Sequence, residues 1–140
     1  MHPLSARLAG AALVVTMVCT HTAVRAEWTR VVTSATGTVI YMDPDRTTTV
    51  AARRHVWLKQ DYSRDQTERA RNAMSLVSVD CSASTYRFLA ITRYDTYGKV
   101  ISSSQQQDYG SGVGYEPVVP ESVMEEVART ACSEFGQAKD

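Results

Sequence analysis

The feature that most constrains the fold of this chain is its use of cysteine. Of the three cysteines, Cys19 lies in an N-terminal region that resembles a cleaved leader, so only Cys81 and Cys132 remain in the mature chain. Two thiols in an oxidising compartment usually pair. The bond would close a loop of about fifty residues, which in the chain-entropy model stabilises the fold by roughly 4 kcal/mol. We therefore expect a structural disulfide, since neither cysteine has the CxxC spacing of a redox site.

The N-terminus has the three regions of a secretory signal peptide. Arg7 precedes an apolar run over residues 8–18, and a polar stretch follows that ends with the residue types a signal peptidase reads. The run has about half of the ~20 residues that a membrane-spanning helix needs. We expect cleavage of residues 1–26, which leaves one domain over residues 27–140. Lipidation of Cys19 is disfavoured, because lipoprotein processing requires a small residue before the cysteine and this chain has valine there.

Charge and residue usage exclude several classes of function. The sequence has 15 basic and 15 acidic residues, and the predicted leader holds two arginines and no acid, so the mature chain has a net charge near −2. That balance gives no general attraction to nucleic acid or anionic lipid. We expect no metal and no cofactor, since His55 is the only mature histidine and the cysteines are expected to pair. No G-x-S-x-G elbow is present, so no catalytic residue is assigned.

Alternation of apolar and polar residues predicts six strands. Segments rich in β-branched and aromatic residues recur at residues 28–34, 38–42, 49–62, 74–81, 86–94 and 100–107. Residues 43–46, with the sequence DPDR, predict a turn that ends the second strand. Residues 63–73 are highly charged and predict an exposed loop. The other links are short, which favours antiparallel pairing of neighbours.

The C-terminal segment changes to helical periodicity. Ser122 and Glu125 have the spacing of a capping box. Apolar residues then recur at spacings of three and four, flanked by Val127 and Cys132 and ended by a glycine: Met124, Ala128, Ala131, Phe135 and Gly136. The helix would bury the face that carries Cys132, and the disulfide would tie it to Cys81 on a central strand. The predicted fold is α+β, a six-stranded antiparallel sheet with one C-terminal helix packed on a face.

A series of short landmarks runs in order through the mature chain. They are Trp28, residues 41–43 (YMD), residues 56–62 (VWLKQDY), residues 79–81 (VDC), Arg87, Tyr94, Gly98, residues 120–122 (PES) and Cys132. In this series the chain resembles the surface-adhesin protein E-like family of Gram-negative bacteria. Two positions depart from the family pattern: Glu121 stands where the family often has glycine, and Tyr115 where it often has tryptophan.

The resemblance implies the same sheet and helix, exported to the cell envelope, in the periplasm or at the outer-membrane surface. For the namesake it implies a virulence-related homodimer that binds host extracellular-matrix and plasma proteins. We therefore expect an adhesin-like protein that is not an enzyme. The alternative is a periplasmic envelope or assembly module with no host ligand, because the landmarks are packing and crosslink positions that such a relative would also keep.

Four residues of the third predicted strand are candidates for ligand binding, Arg53, Arg54, His55 and Lys59, together with the charged residues of the loop that follows, Arg64, Glu68, Arg69 and Arg71. A basic strand of this kind suits acidic segments of a matrix protein or a glycosaminoglycan. The alternative interpretation is an ordinary solvated sheet face. The polar strand over residues 100–107 is an edge that either pairs with a second copy or stays solvated.

Overall fold

Seven strands and one helix make up the part of the chain that the computed structural model describes, residues 27–107 and 114–133. They are β1 Thr29–Thr33, β2 Val39–Val50, β3 Arg53–Asp61, β4 Asn72–Asp80, β5 Thr85–Tyr94, β6 Val100–Gln105, β7 Glu116–Pro117 and α1 Val123–Ser133. The predicted signal peptide lies outside these ranges, as do Phe135 and Gly136.

The strands form one antiparallel sheet in chain order, β1-β2-β3-β4-β5-β6, and the short β7 pairs with the start of β5. Each long strand pairs with its neighbours along the chain, as short links require. This arrangement, with the single helix, confirms the predicted fold. The two-residue β7 is an addition that the sequence pattern does not predict.

The helix packs on one side of the sheet, which we call the helix face. The core is a cluster of buried apolar side chains, which are Ile40, Met42, Val56, Leu58, Val77 and Val79 from the sheet with Val127 and Ala131 from α1. Burying a side chain of the size of valine or leucine contributes about 1.5–3 kcal/mol. Because side chains alternate along a strand, Tyr41, Trp57 and Leu76 lie on the opposite side, which we call the second face.

A disulfide joins Cys81 to Cys132, with the two Cα atoms 5.8 Å apart. It connects the last turn of α1 to the sheet, as predicted. Cys81 itself lies one residue beyond β4, in the β4–β5 turn, and not on the strand. The chain turns there because the Asp80 carboxylate accepts hydrogen bonds from the N–H groups of Ser82 and Ala83, at 3.1 and 3.0 Å.

The second strand is longer than predicted, because the DPDR segment forms a bulge and not a terminal turn. Asp43 and Thr48 pair with β3 residues only two positions apart, so residues 44–47 bulge out of the ladder. The N–H of Asp45 donates to Asp43 Oδ1 at 3.1 Å, which is the local aspartate bonding that a turn also uses. The prediction recognised this bonding but was wrong that the strand ends there.

The β2–β3 link occurs at residues predicted to lie inside a strand. Ala51 and Ala52 have φ angles of 47° and 63°. Two central residues with positive φ are typical of the type I′ hairpin turn, which favours Asn-Gly. Two alanines are not a typical turn pair. The alternating pattern therefore predicts that the strand continues through them.

The loop between β3 and β4 is anchored and not simply exposed as predicted. Asp65 is 6% exposed. Its carboxylate accepts hydrogen bonds from the hydroxyl groups of Thr36 and Thr38 in the β1–β2 hairpin and of Thr67 in its own loop. These bonds hold the pKa of Asp65 well below its usual range. The loop is thus fastened to the β1–β2 hairpin, which lies at the same end of the sheet.

The start of α1 confirms the predicted capping box with one variation. Ser122 Oγ accepts from the N–H of Glu125 at 3.2 Å. The Glu125 carboxylate reaches back to the N–H of Glu121 at 2.8 Å, one residue earlier than in the usual motif. Glu121 has a φ of 60°. This left-handed conformation is a physical reason for glycine at that position.

Candidate interaction surface

The four candidate residues all lie on β3 but are divided between the two faces. Arg54 pairs with Val79, whose side chain is buried under the helix, so Arg54 lies on the helix face. Its guanidinium donates to Thr49 Oγ1 at 2.5 Å. Alternation places Arg53, His55 and Lys59 on the second face. Three of the four residues therefore share one face of the sheet, with Arg53 and Lys59 about 20 Å apart along the strand.

Arg53 is held by its neighbours on the second face. Its side chain is 12% exposed and its Nε lies 3.4 Å from Asp80 Oδ2. Its Cζ lies 4.6 Å from the centre of the Tyr115 ring. Tyr115 in turn donates its hydroxyl hydrogen to Ser78 Oγ at 2.6 Å. Arg53 thus fixes the segment before α1 against the sheet, a structural role that the sequence does not reveal.

The pKa of the Asp80 carboxyl group is lowered by the groups that donate hydrogen bonds to it. The N–H of Ala83 is the main cause that lowers its pKa, and the hydroxyl group of Ser82 and the guanidinium of Arg53 act in the same direction. The group is ionised at neutral pH and pairs with Arg53.

Lys59 lies between two aromatic rings. Its Nζ is 4.9 Å from the centre of the Tyr41 ring and 5.7 Å from that of Trp28. A cation within about 6 Å of an aromatic ring is attracted by the electron-rich face. The ammonium group is therefore held in place and half-buried, next to solvent on the second face.

His55 lies in the middle of the sheet, paired with Thr48 of β2 and Ser78 of β4. It is half-buried and on the same face as Arg53. Within residues 27–107 and 114–133, no group of three or more His, Cys, Asp and Glu side chains is arranged to hold a metal ion.

A recess of about 180 Å³ opens beside Lys59 at the β1 edge of the second face. It is lined by Arg30, Val39, Tyr41, Asp61, Ser63 and Arg64. Arg30 pairs with Tyr41 and Tyr41 pairs with Lys59 in the strand ladders, so one row of the sheet brings them together. Arg30 is a site residue that the sequence pattern does not reveal, because it is distant from Arg64 along the chain. Strand register is the signal that places Arg30 in one row with Tyr41 and Lys59, whereas Arg64 reaches the recess from the β3–β4 loop.

A sequence model of the surface-adhesin protein E family matches residues 28–133, which is most of the chain. The chain belongs to the surface-adhesin protein E family. Searches of curated proteins and of solved structures returned no match. In this member of the adhesin family, none of the helices in the described ranges has the length and apolarity needed to span a bilayer.

A second, larger cleft of about 330 Å³ in this adhesin-family protein lies beside the disulfide, between α1 and the β4–β5 turn. Its charged groups are already used locally. Glu125 binds the N–H of Glu121, and Arg129 pairs with Glu126 at 2.8 Å. Asp80 shapes the turn. The polar groups here serve the fold, so we assign this cleft no ligand.

Proposed function

We propose that this protein is an exported envelope protein that acts as an adhesin and binds host matrix or plasma proteins. The observation that carries the proposal is the family match over residues 28–133. The disulfide supports export, because such bonds persist in oxidising compartments. The predicted signal peptide over residues 1–26 supplies the route.

The second face of the sheet is the surface that we propose for host-protein binding. It carries Arg53, His55 and Lys59, whereas Arg54 lies on the opposite face. Lys59 is the most informative of these residues, because Arg53 also holds Tyr115 and Asp80. An ordered cation on a partly apolar face suits an acidic segment of a partner protein.

Localisation is the first test of this function. Intact cells would be treated with a protease that does not cross the outer membrane, and then labelled with antibody to this domain. The adhesin proposal predicts surface labelling that the protease removes. Protection from protease, together with crosslinking only to envelope proteins, would instead support the periplasmic module.

Binding to immobilised matrix and plasma proteins is the second test. Lys59→Gln is expected to weaken binding, and the loss should diminish as salt rises because exposed charges are screened. Arg54→Gln is the matched control, since it removes one cation from the same strand on the other face. Equal loss of binding in both variants would show that positive charge on either side of β3 contributes equally. The second face would then not be the binding surface.

A homodimer is also proposed, through the free edge of the sheet. All six residues of β6 are exposed and none is charged. Val100 and Ile101 are 50% and 53% exposed. An uncharged edge strand with apolar side chains is suited to pairing with a second copy, because charged residues normally prevent such pairing. Light scattering of the wild type and of Ile101→Lys tests this, with a monomeric variant as the expected result.

A further inference from the structure

We propose that the recess between Arg30 and Arg64 binds a carboxylated sugar unit of an acidic oligosaccharide. The recess lies at the β1 edge of the second face and has a volume of about 180 Å³. Drug-sized ligands occupy pockets of about 300–1,000 Å³. A space of this size suits one sugar ring, with the rest of a saccharide chain running out over the sheet.

Two guanidinium groups supply the attraction for an anion. Arg30 and Arg64 both line the recess, and both side chains are exposed. Neither forms an ion pair with any of the residues that the structure describes, and Arg30 only donates to the hydroxyl group of Thr33. Arginine binds carboxylates through paired N–H groups in a fixed plane. The charge of the recess is therefore complementary to a sugar carboxylate.

Asp61 supplies the recess with an acceptor for the hydroxyl groups of a ligand. Its Oδ1 accepts from the N–H of Ser63 at 2.9 Å, and the Ser63 hydroxyl group also bonds to this carboxylate. An ionised carboxylate has about four lone-pair sites, so it can still accept from a ligand hydroxyl group. The bond from the Ser63 N–H is the main cause that lowers the pKa of Asp61, so the carboxylate is ionised at neutral pH. A ligand with charge alone would be repelled by Asp61, whereas an acidic sugar offers hydroxyl hydrogens beside its carboxylate.

The remaining wall is apolar. Val39 and the ring of Tyr41 line it, and both are half-buried. The C–H side of a sugar ring packs against aromatic and aliphatic surface of this kind. The N–H groups of a short acidic peptide would also bond to Asp61, but such a peptide lacks the flat C–H face that matches this wall. Together the three kinds of wall favour an acidic saccharide over a peptide.

The walls are held in place before any ligand arrives. Lys59 fixes the Tyr41 ring from one side. A side chain at Gly37 would clash with the backbone oxygen of Arg64 at 2.9 Å, which shows how closely the β1–β2 hairpin meets the loop. Asp65 of the loop accepts hydrogen bonds from Thr36 and Thr38 of the hairpin, and these bonds hold the two segments together. Such preorganisation lowers the entropy lost on binding.

The test uses the purified, oxidised protein and nuclear magnetic resonance. The probe is a tetrasaccharide of alternating glucuronic acid and N-acetylglucosamine, with maltotetraose as the neutral comparison and tetraglutamate as the acidic peptide. Saturable shifts of the backbone amides of Arg30, Val39, Tyr41 and Ser63 with the acidic saccharide alone are expected. Absence of binding, or equal binding of either comparison ligand, would overturn the proposal.

Paired variants separate this site from general charge. Arg30→Gln with Arg64→Gln should weaken binding at least about tenfold, because two charge-assisted contacts are lost. Arg69→Gln with Lys99→Gln removes two exposed cations elsewhere and should leave the affinity unchanged. Circular dichroism and an intact disulfide establish that all variants are folded. Equal weakening in both pairs would contradict the assignment of the site.

A role for this recess in attachment rests on the proposed function, whereas saccharide binding itself does not. The two fail separately. If surface labelling is absent but the amide shifts are present, the adhesin proposal is wrong and the saccharide site stands. If surface labelling is present but the amide shifts are absent, the saccharide site is wrong and the adhesin proposal stands, with protein surfaces recognised elsewhere than at this recess.

Discussion

The carboxylate of Asp65 accepts a hydrogen bond from the hydroxyl group of Thr38, 2.5 Å away and 27 residues earlier in the chain. Both residues are buried. The bond fastens the β3–β4 loop to the β1–β2 hairpin, and it lies behind the recess that Arg30 and Arg64 line. Loss of this link should therefore affect both stability and the shape of the recess.

The first prediction concerns acid stability and Asp65→Asn. The folded pKa of Asp65 lies below its usual range, with the Thr36 hydroxyl as the largest cause. A carboxyl group whose pKa is lowered by folding contributes stability above its unfolded pKa of about 4 and loses it as the pH falls further. Asp65→Asn should be less stable than the wild type at pH 7, and the difference should shrink below about pH 4.

Urea unfolding at several pH values measures this difference. Asp45→Asn is the control, because Asp45 is an exposed acid in the bulge of β2. It should show no comparable dependence. A gap between wild type and Asp65→Asn that stays constant from pH 7 to pH 3 would contradict the assigned role.

The second prediction concerns the β2–β3 hairpin. Ala51 and Ala52 both have positive φ. The left-handed conformation costs about 1–2 kcal/mol for a residue with a Cβ atom, and Asn-Gly is the preferred pair in such a turn. Ala51→Asn with Ala52→Gly should raise the free energy of unfolding by about 1–2 kcal/mol. Ala90→Gly, at a strand position without positive φ, should instead lower it by about 0.5–1 kcal/mol.

The third prediction concerns Glu121, which has a φ of 60° before the helix. Glu121→Gly should stabilise the protein by about 1 kcal/mol, since glycine adopts this conformation without strain. The bond from the residue 121 N–H to Glu125 uses the backbone and is kept. Glu121→Ala keeps the strain and serves as the control. A thermal melt in which both variants gain equally would show that the glutamate side chain, and not its φ, is unfavourable.

The fourth prediction concerns the disulfide between Cys81 and Cys132, which are 51 residues apart. In the chain-entropy model, replacing both by serine should cost roughly 4 kcal/mol of stability. Urea unfolding measures the loss. Reduction of the wild type with dithiothreitol should produce a similar loss and should leave the double variant unaffected. A wild type that keeps its unfolding midpoint after full reduction would rule out this contribution.

The parts of the fold that could be predicted are those fixed by local patterns. Alternation places Val56 and Leu58 on the buried face of β3, and the Ser122 and Glu125 pair marks the start of α1. The predicted mature chain has two cysteines, which predicts the disulfide between Cys81 and Cys132. Each of these depends on residue spacing or on compartment, which a sequence contains directly.

The parts that could not be predicted depend on tertiary context. The bulge at residues 44–47 uses the same aspartate bonding as a turn, so the local pattern does not distinguish them. Ala51 and Ala52 adopt positive φ in the hairpin turn, a conformation that local propensity disfavours for alanine. Arg30 on β1 and Arg64 in the β3–β4 loop line one recess because the strands between them pair, and no spacing along the chain reveals this arrangement.

The order of the strands has a consequence for biogenesis. Since each long strand pairs with the one just before it, the sheet can be laid down progressively as the chain emerges from the export channel, with low contact order at every step. Cys132 follows the seven strands of the described residues, so its thiol emerges after Cys81. Oxidation is then the closing step of maturation, and an oxidoreductase would meet a nearly finished substrate.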